Sequence, residues 1–163
     1  MQHVSSLGGP RVLLPTEQID LWIDTMDLTP NPDEGIYKIA CSINNYCGVI
    51  APWMTPLLIF GDDPTNIYYN PDYKDGLLFR WCGADSLDQL NSFAIQQANL
   101  NTWDEITEFT VVNSDMTLMD TCTKYDDLAP RIKIILNCGN YLIKSRYIDS
   151  EDVITIIHLF EHI

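Results

Sequence analysis

Cationic side chains are scarce in this chain of 163 residues. Nine Lys and Arg stand against 23 Asp and Glu, which gives a formal net charge of -14. Nucleic acids and anionic membrane surfaces attract proteins through clustered Lys and Arg. The composition therefore predicts no nucleic-acid partner and no membrane partner, whereas a cationic partner would be attracted at a rate that falls as salt rises. Plain solubility is the alternative explanation of the charge.

Long apolar runs and a secretion signal are also absent. No stretch approaches the roughly 18 apolar residues that span a bilayer, and residues 1–6 lack a positive region followed by an apolar core. No C-x-x-C pair occurs among the five cysteines, which are Cys41, Cys47, Cys82, Cys122 and Cys138. Neither a disulfide framework nor a zinc ribbon is indicated. We therefore expect a cytoplasmic protein with free thiols, folded as a single domain of residues 1–163.

Catalytic signatures are missing with one exception. The chain has no phosphate-binding glycine loop, no G-x-S-x-G nucleophile motif and no calcium loop. Residues 158–162 match the H-x-x-E-H pattern, in which two histidines on one helix hold zinc. The β-branched run before this motif favours a strand instead, so solvated histidines are the preferred interpretation. The sequence predicts no catalytic residue, no metal site and no cofactor.

The middle of the chain contains three short apolar runs, at residues 46–50, 56–61 and 76–81. Each is too short for a typical helix, is bounded by Gly, Pro, Asn or Asp, and is rich in branched or aromatic residues, which is typical of strands. We therefore expect a small antiparallel meander. Between its second and third strands lies a polar, tyrosine-rich loop from Asp62 to Asp75.

One helix and a series of strands are expected around this meander. Apolar residues recur at helical spacing within residues 16–26, whereas residues 34–43 fit a short helix slightly better than a strand. Residues 91–104 indicate only a weak helix or a loop. Further strands are predicted at residues 106–112, 116–120, 132–136, 141–147 and 153–160, with the turn at 137–140 joining the third and fourth of these as a hairpin. The predicted fold class is α+β: mainly antiparallel sheet, made of the meander plus C-terminal hairpins, with the N-terminal helix packed on it.

Several motifs, in this order along the chain, resemble the immunity protein 21 family. The likeness covers residues 4–15 with Trp22 downstream, then residues 37–41 and 46–50, and then residues 58–64, 76–81 and 84–86. In the second half it is looser, chiefly at residues 118–120 and 139–143. Proteins of that family accompany bacterial polymorphic toxins and protect the producing cell. The resemblance implies a cytoplasmic, non-enzymatic inhibitor that binds one cognate toxin domain, whose chemistry it does not reveal.

The loop between the second and third meander strands is the predicted partner-binding surface. Tyrosine offers a large contact area at low entropic cost, and carboxylates suit a basic cleft. The candidate contact residues are Asp62, Asp63, Tyr68, Tyr69, Asp72, Tyr73 and Asp75. The alternative is that some of these side chains fold back into the core. A second acidic set is interpreted as a solvated helix face: Asp20, Asp24, Asp27, Asp33 and Glu34.

The sequence thus predicts a protein that sequesters a cognate, basic toxin domain by steric and electrostatic blocking. One alternative is a small metal-dependent hydrolase that uses His158, Glu161 and His162. Another is an acidic interaction module of some other complex. Stoichiometric zinc in the purified protein would favour the hydrolase.

Overall fold

The computed structural model describes residues 1–6, 9–28, 35–61, 65–122 and 130–163. Asp33, Glu34, Asp62 and Asp63, which the sequence singled out, lie outside the described residues, as does the side chain of Asp27. Within the described ranges no helix is long and apolar enough to cross a membrane.

Antiparallel sheet dominates the part of the chain that the structure describes, with eleven strands in two sheets. The first sheet has the order β1-β5-β6-β11-β10-β7, and the second has the order β3-β4-β2-β8-β9. In chain order the strands are β1 His3–Val4, β2 Arg11–Pro15, β3 Cys47–Ile50, β4 Leu57–Phe60, β5 Asn66–Asn70, β6 Leu77–Trp81, β7 Glu105–Val111, β8 Asp115–Asp120, β9 Ile132–Ile135, β10 Gly139–Asp149 and β11 Ile154–His162.

Three α-helices accompany the sheets in the described ranges: α1 Ile19–Leu28, α2 Ile36–Cys41 and α3 Leu87–Asn99. A short 3₁₀ turn, Thr16–Gln18, precedes α1. Helix α3 begins where the Ser86 hydroxyl accepts a hydrogen bond of 3.2 Å from the backbone N–H of Gln89, which satisfies one of the free donors of the first turn.

The two sheets pack face to face around the largest apolar cluster. Alternation along each strand sends every second side chain into this space; in β4, for example, Leu58 and Phe60 enter it, while Leu57 and Ile59 face the other way. Both sheets contribute, since the cluster includes Leu13, Leu58, Leu118, Leu78, Phe109, Ile143 and Phe160. The architecture is therefore a sandwich of two sheets.

The outer faces of the sandwich carry two further apolar clusters. On the first sheet, Leu77, Phe79 and Leu159 pack with a stripe on α3 made of Leu90, Ala94 and Ala98. On the second sheet, side chains of β2 and β4 form a cluster with Trp22, Ile36 and Ala40. The Trp22 indole N–H also donates a hydrogen bond of 3.3 Å to the carbonyl oxygen of Thr121, just after β8.

The predicted meander is wrong in its pairing, although its three strands exist. Strands β3 and β4 pair in the second sheet, with Gly48 opposite Ile59, whereas β6 lies in the first sheet between β5 and β11. The stretch predicted as one loop contains β5, which pairs with β6. Apolar alternation identifies a strand but does not identify its neighbour, and this is why the prediction failed.

The predicted hairpin around residues 137–140 is also wrong. Strand β9 pairs with β8 in the second sheet, and β10 pairs with β7 and β11 in the first, so the turn carries the chain from one sheet to the other. The prediction of a strand over residues 153–160 is confirmed, because β11 covers Ile154–His162 and forms a hairpin with β10. The mainly antiparallel character of the fold is likewise confirmed.

Candidate functional site

The structure separates the residues that the sequence proposed as one contact loop. Tyr68, on β5, is only 6 % exposed, and its ring stacks on Phe79 with centroids 5.7 Å apart and planes 12° apart. Tyr68 therefore has little surface to offer a partner. Tyr69, the next residue, points to the opposite face of the strand, as strand geometry requires, and is half-buried.

Tyr69, Asp72 and Asp75 border two hollows of about 300 and 420 Å³, which share Tyr69, Pro71 and Lys133. Asp75 and Lys74 line the smaller hollow, and Asp72 lines the larger one. We call this region the turn surface; it comprises Tyr69, Asp72, Tyr73, Lys74, Asp75 and Lys133. Its two aspartates lie beside Lys74 and beside Lys133, and Lys133 is itself ion-paired with Asp115 at 3.0 Å.

Side chains of the turn surface also hold the local structure. The Tyr73 hydroxyl donates to the Asn99 side-chain oxygen at 2.7 Å, and one Asp75 carboxylate oxygen accepts from the backbone N–H of His162 at 3.1 Å. Gly76 ends the turn with a φ of +126°, a conformation that side chains rarely adopt, and an added Cβ would lie 3.0 Å from the Tyr69 ring. Tyr73 and Asp75 therefore have a structural role whatever they bind.

A larger hollow, of about 580 Å³, lies toward the other end of the sandwich. On β11 its lining residue Ile156 is six residues from His162, which is about 20 Å along a strand. Polar groups predominate in the lining, and no tight sequence motif links them: Cys41, Ile43, Asn44, Asn45, Tyr46, Gly61, Arg80, Glu105 and Ile156.

Hydrogen bonds between the two sheets shape this hollow. One Glu105 carboxylate oxygen accepts from the backbone N–H of Tyr46 at 3.1 Å, and the other accepts from the Thr107 hydroxyl at 3.3 Å. The Arg80 guanidinium donates to the carbonyl oxygens of Gly61 and Tyr46 at 3.1 and 3.0 Å. The backbone of Tyr46, at the start of the second sheet, is thus bonded through both its N–H and its C=O to side chains of the first sheet.

Two further carboxylates and a second tyrosine lie close to the lining residues Tyr46 and Glu105. A carboxylate oxygen of Asp104 accepts from the backbone N–H of Tyr147 at 3.0 Å, and Tyr147 itself is 42 % exposed. Burial, followed by the charges of Asp104 and Glu105, raises the pKa of Tyr46. Partial burial, followed by the charge of Asp149, raises the pKa of Tyr147. We call this region the Glu105 surface: Tyr46, Asp104, Glu105, Tyr147 and Asp149.

Both phenols of the Glu105 surface keep their protons at neutral pH, since a tyrosine pKa is ordinarily about 10 and the surroundings raise both pKa values further. Each can therefore donate a hydrogen bond beside groups that carry negative charge. Such a surface can bind a cationic side chain through its carboxylates while the tyrosine rings supply contact area.

A buried polar chain begins at the wall of the hollow. Arg80 Nε donates to His158 Nε2 at 3.2 Å, His158 Nδ1 lies 2.8 Å from Ser145 Oγ, and Ser145 Oγ lies 3.6 Å from Cys47 Sγ. Burial, followed by the charges of Arg80 and Arg11, lowers the pKa of His158 well below its usual value. The imidazole is therefore neutral; since Nε2 accepts from Arg80, Nδ1 carries the proton and donates to Ser145.

The same chain is inaccessible to a substrate. His158 and Ser145 are fully buried and Cys47 is 1 % exposed, and burial is the main cause of the raised pKa of Cys47. A nucleophile needs access and a lowered pKa, and Cys47 has neither. The arrangement joins the sheets; it does not resemble an open catalytic site.

The H-x-x-E-H motif lies on β11, so its histidines are not one helical turn apart. His158 and His162 are separated by about 13 Å along the strand, whereas zinc ligands must all lie about 2 Å from one ion. Glu161 forms an ion pair with Lys144 at 2.6 Å. Across the described ranges, no group of three or more His, Cys, Asp or Glu side chains is placed to hold a metal ion.

Sequence reasoning missed the Glu105 surface because its members lie far apart in the chain. Tyr46 precedes β3, Asp104 precedes β7 and Glu105 begins it, and Tyr147 and Asp149 lie near the end of β10. The pairing of β7 with β10, in which Glu105 is opposite Ser145, brings the first-sheet members to one end of that sheet, and the hydrogen bond from the Tyr46 N–H to Glu105 adds Tyr46 from the second sheet. No local pattern carried that information.

The family model described as immunity protein 21 matches residues 2–153. The chain belongs to the immunity protein 21 family. Comparison with curated proteins and with solved structures gives no match. The residues matched to immunity protein 21 include all of the Glu105 surface and all of the turn surface, whereas His158 and His162 lie beyond them.

Proposed function

We propose that this immunity protein 21 member is a non-enzymatic inhibitor that binds a cognate toxin domain in the cytoplasm of the producing cell. Family membership over residues 2–153 is the observation that carries the proposal. The net charge of -14 supports a basic toxin as the partner, since toxins that act on nucleic acid need cationic surfaces to hold their substrate.

The Glu105 surface is the contact region that the geometry favours. Asp104, Glu105 and Asp149 give it three carboxylates, whereas the turn surface has two aspartates with Lys74 between them in the chain, and its Lys133 is ion-paired with Asp115. Among the described residues that line the hollow, Arg80 contributes the guanidinium, which is buried and already donates to two carbonyl oxygens and to His158. A lysine or arginine side chain of the toxin would enter the hollow and meet acceptors at its mouth.

Inhibition on this proposal is steric and electrostatic. Tyr46 and Tyr147 supply the aromatic contact area that dominates many interfaces, and the surrounding carboxylates steer the encounter. The toxin would lose access to its substrate because the inhibitor covers the cationic cleft, and no bond in the toxin would be altered.

We also infer that the N-terminal helix packs on the second sheet and takes no part in docking. Trp22 is fully buried, shares a cluster with residues of β2 and β4, and is hydrogen-bonded to the carbonyl of Thr121. Asp20 and Asp24 are exposed on the other side of α1, as a solvated helix face requires.

Binding to a purified toxin domain tests the proposal, and a toxin gene found beside the gene for this chain would supply the candidate. We expect co-expression to rescue growth and the two proteins to form a stable complex. The double variant Asp149→Lys, Tyr147→Ala should weaken that complex by about tenfold or more, because it removes an exposed aromatic contact and reverses a nearby charge.

A matched control is Asp72→Lys, which makes the same charge change on the turn surface. We expect Asp72→Lys to weaken the affinity for the toxin by less than about twofold, apart from the loss of long-range electrostatic attraction that both variants share. The reverse ranking would move the contact region to the turn surface. Failure of the wild-type chain to bind the toxin or to rescue growth would instead support an interaction module of another complex.

A further inference from the structure

Two of the five cysteines lie against the same tyrosine hydroxyl. The Cys122 thiol donates a hydrogen bond to the Tyr37 hydroxyl oxygen, with the sulfur 3.1 Å from that oxygen. The Cys41 thiol, one helical turn after Tyr37 on α2, is hydrogen-bonded to the same hydroxyl. The two sulfurs are therefore near each other although their residues lie 81 positions apart in the chain.

The surroundings of this pair leave one sulfur open and confine the other. Cys41 is exposed and lines the 580 Å³ hollow. Cys122 is half-buried, its backbone N–H donates to Asp120 at 2.7 Å, and a Cβ added to Gly9 would lie only 2.8 Å from its sulfur. Such a pair suits a two-step oxidation, in which the exposed thiol is oxidised first and the confined thiol then reacts with it to form a disulfide.

We propose that Cys41 and Cys122 form a peroxide-oxidisable pair that closes a disulfide beside Tyr37. The Cys41 thiolate attacks one oxygen of hydrogen peroxide, so that its sulfur becomes a sulfenic acid and the other oxygen leaves as water. The Cys122 sulfur then attacks the sulfenic sulfur, the S–S bond forms, and the hydroxyl leaves as a second water. Two thiols are oxidised and one peroxide is reduced to two waters.

The geometry also indicates what must move. A disulfide needs its sulfurs about 2.05 Å apart, so the Tyr37 hydroxyl has to leave the space between them. The phenol keeps its proton, since hydrogen bonds to Cys122, burial and the hydrogen bond to Cys41 all raise the pKa of Tyr37. Helix α2 has only six residues, and a helix this short has little stability of its own to resist the shift.

The remaining cysteines serve as controls. Cys82 and Cys138 are exposed, and Cys47 is buried in the polar chain between the sheets. A Cys82→Ser, Cys138→Ser variant keeps the proposed pair and removes the two other exposed thiols. Cys41→Ser and Cys122→Ser each remove one half of the pair.

The test exposes the full chain to a few equivalents of hydrogen peroxide, without any toxin, followed by thiol counting and peptide mass mapping. We expect five free thiols to fall to three, a mass lower by about 2 Da, and a Cys41–Cys122 linked peptide that dithiothreitol reverses. The Cys82→Ser, Cys138→Ser variant should form the same link, and Tyr37→Phe should form it about twofold or more faster, because no hydroxyl separates the sulfurs.

The proposal is overturned if Cys41 oxidises without linking to Cys122, or if the linked peptides join other cysteines. The linked peptides of the wild-type chain are enough to decide between these outcomes, so the test still works if a variant fails to fold. The result is independent of the proposed function, since the disulfide forms or fails to form whether or not a toxin is bound.

Discussion

His158 is the residue whose chemistry most directly sets how the protein responds to acid. It is fully buried beside Phe60, with ring centroids 4.9 Å apart, and it interacts with the charges of Arg80 and Arg11. Its folded-state pKa lies below the value of about 6.5 that it has when unfolded. At a pH between the two pKa values, His158 is therefore protonated in the unfolded chain and neutral in the folded chain.

The free energy of unfolding should fall as the pH drops below about 6.5, by up to about 1.4 kcal/mol per pH unit from this group. Above that pH the histidine is neutral in both states and contributes no slope. Denaturant titrations between pH 8 and pH 5 measure the effect.

A His158→Gln variant should lose this part of the slope, whereas His162→Gln, at an exposed position on the same strand, should keep it. Equal slopes in wild type and His158→Gln would contradict the assignment. Carboxylates that titrate at lower pH affect all three proteins alike, so they do not confuse the comparison.

Arg80 supports the same region from the other side. Replacing it by Met removes the donors to Gly61 O, Tyr46 O and His158 Nε2 and leaves three acceptors without that partner. We expect the free energy of unfolding to fall by about 3 kcal/mol or more, as for other buried polar groups that lose their partners. Thermal or urea unfolding provides the measurement.

Arg146→Met is the matched control. Arg146 lies on β10, is half-buried and donates to Gln97 at 3.4 Å, a long hydrogen bond. Its loss should cost no more than about 1 kcal/mol. Similar costs for the two variants would show that the guanidinium at Arg80 is not the critical link.

At the scale of elements, α3 depends on its cap and on small side chains. The Ser86→Ala variant should destabilise the protein by about 1 kcal/mol, since the free N–H of Gln89 loses its acceptor. Ser92→Ala, the same change at an exposed position inside α3, should be neutral or slightly stabilising because alanine is the better helix former. Urea denaturation of both variants compares them, and equal effects would contradict a capping role.

The same helix shows what the sequence could and could not reveal. Its buried stripe, Leu90, Ala94 and Ala98, has a regular spacing of four, but two of the three residues are alanine. A search for large apolar residues therefore found no clear period in residues 91–104. Alanines at a spacing of four can mark the buried face of a helix, since they let it approach a sheet closely. They differ little in hydrophobicity from their polar neighbours, so the pattern is hard to see.

Strands were predictable and their partners were not. Strands β3, β4 and β6 were expected close to where they lie, because short branched and aromatic runs between turn residues are a local property. Pairing depends on the whole chain: β6 pairs with β11, about 80 residues later, and so no local pattern separates the two sheets. The Glu105 surface follows from pairing, and for that reason the sequence pointed only to the loop from Asp62 to Asp75.

At the scale of the whole molecule, the net charge of -14 makes a prediction about kinetics. If the partner is basic, the association rate constant should fall by about tenfold or more between 50 and 500 mM salt, while the dissociation rate constant changes much less. Stopped-flow or surface-based binding at several salt concentrations measures both constants. An association rate that ignores salt would contradict electrostatic steering.

The double bonding of Tyr46 has a consequence for the cell. Its N–H donates to Glu105 and its C=O accepts from Arg80, and both side chains belong to the opposite sheet. The proposed recognition surface therefore keeps its shape only while the two sheets remain joined. Protection against the toxin would then depend directly on the fraction of molecules that are folded. A substitution deep in the apolar layer, far from any partner, would lower the amount of toxin that a cell survives, simply by reducing the share of molecules that are intact.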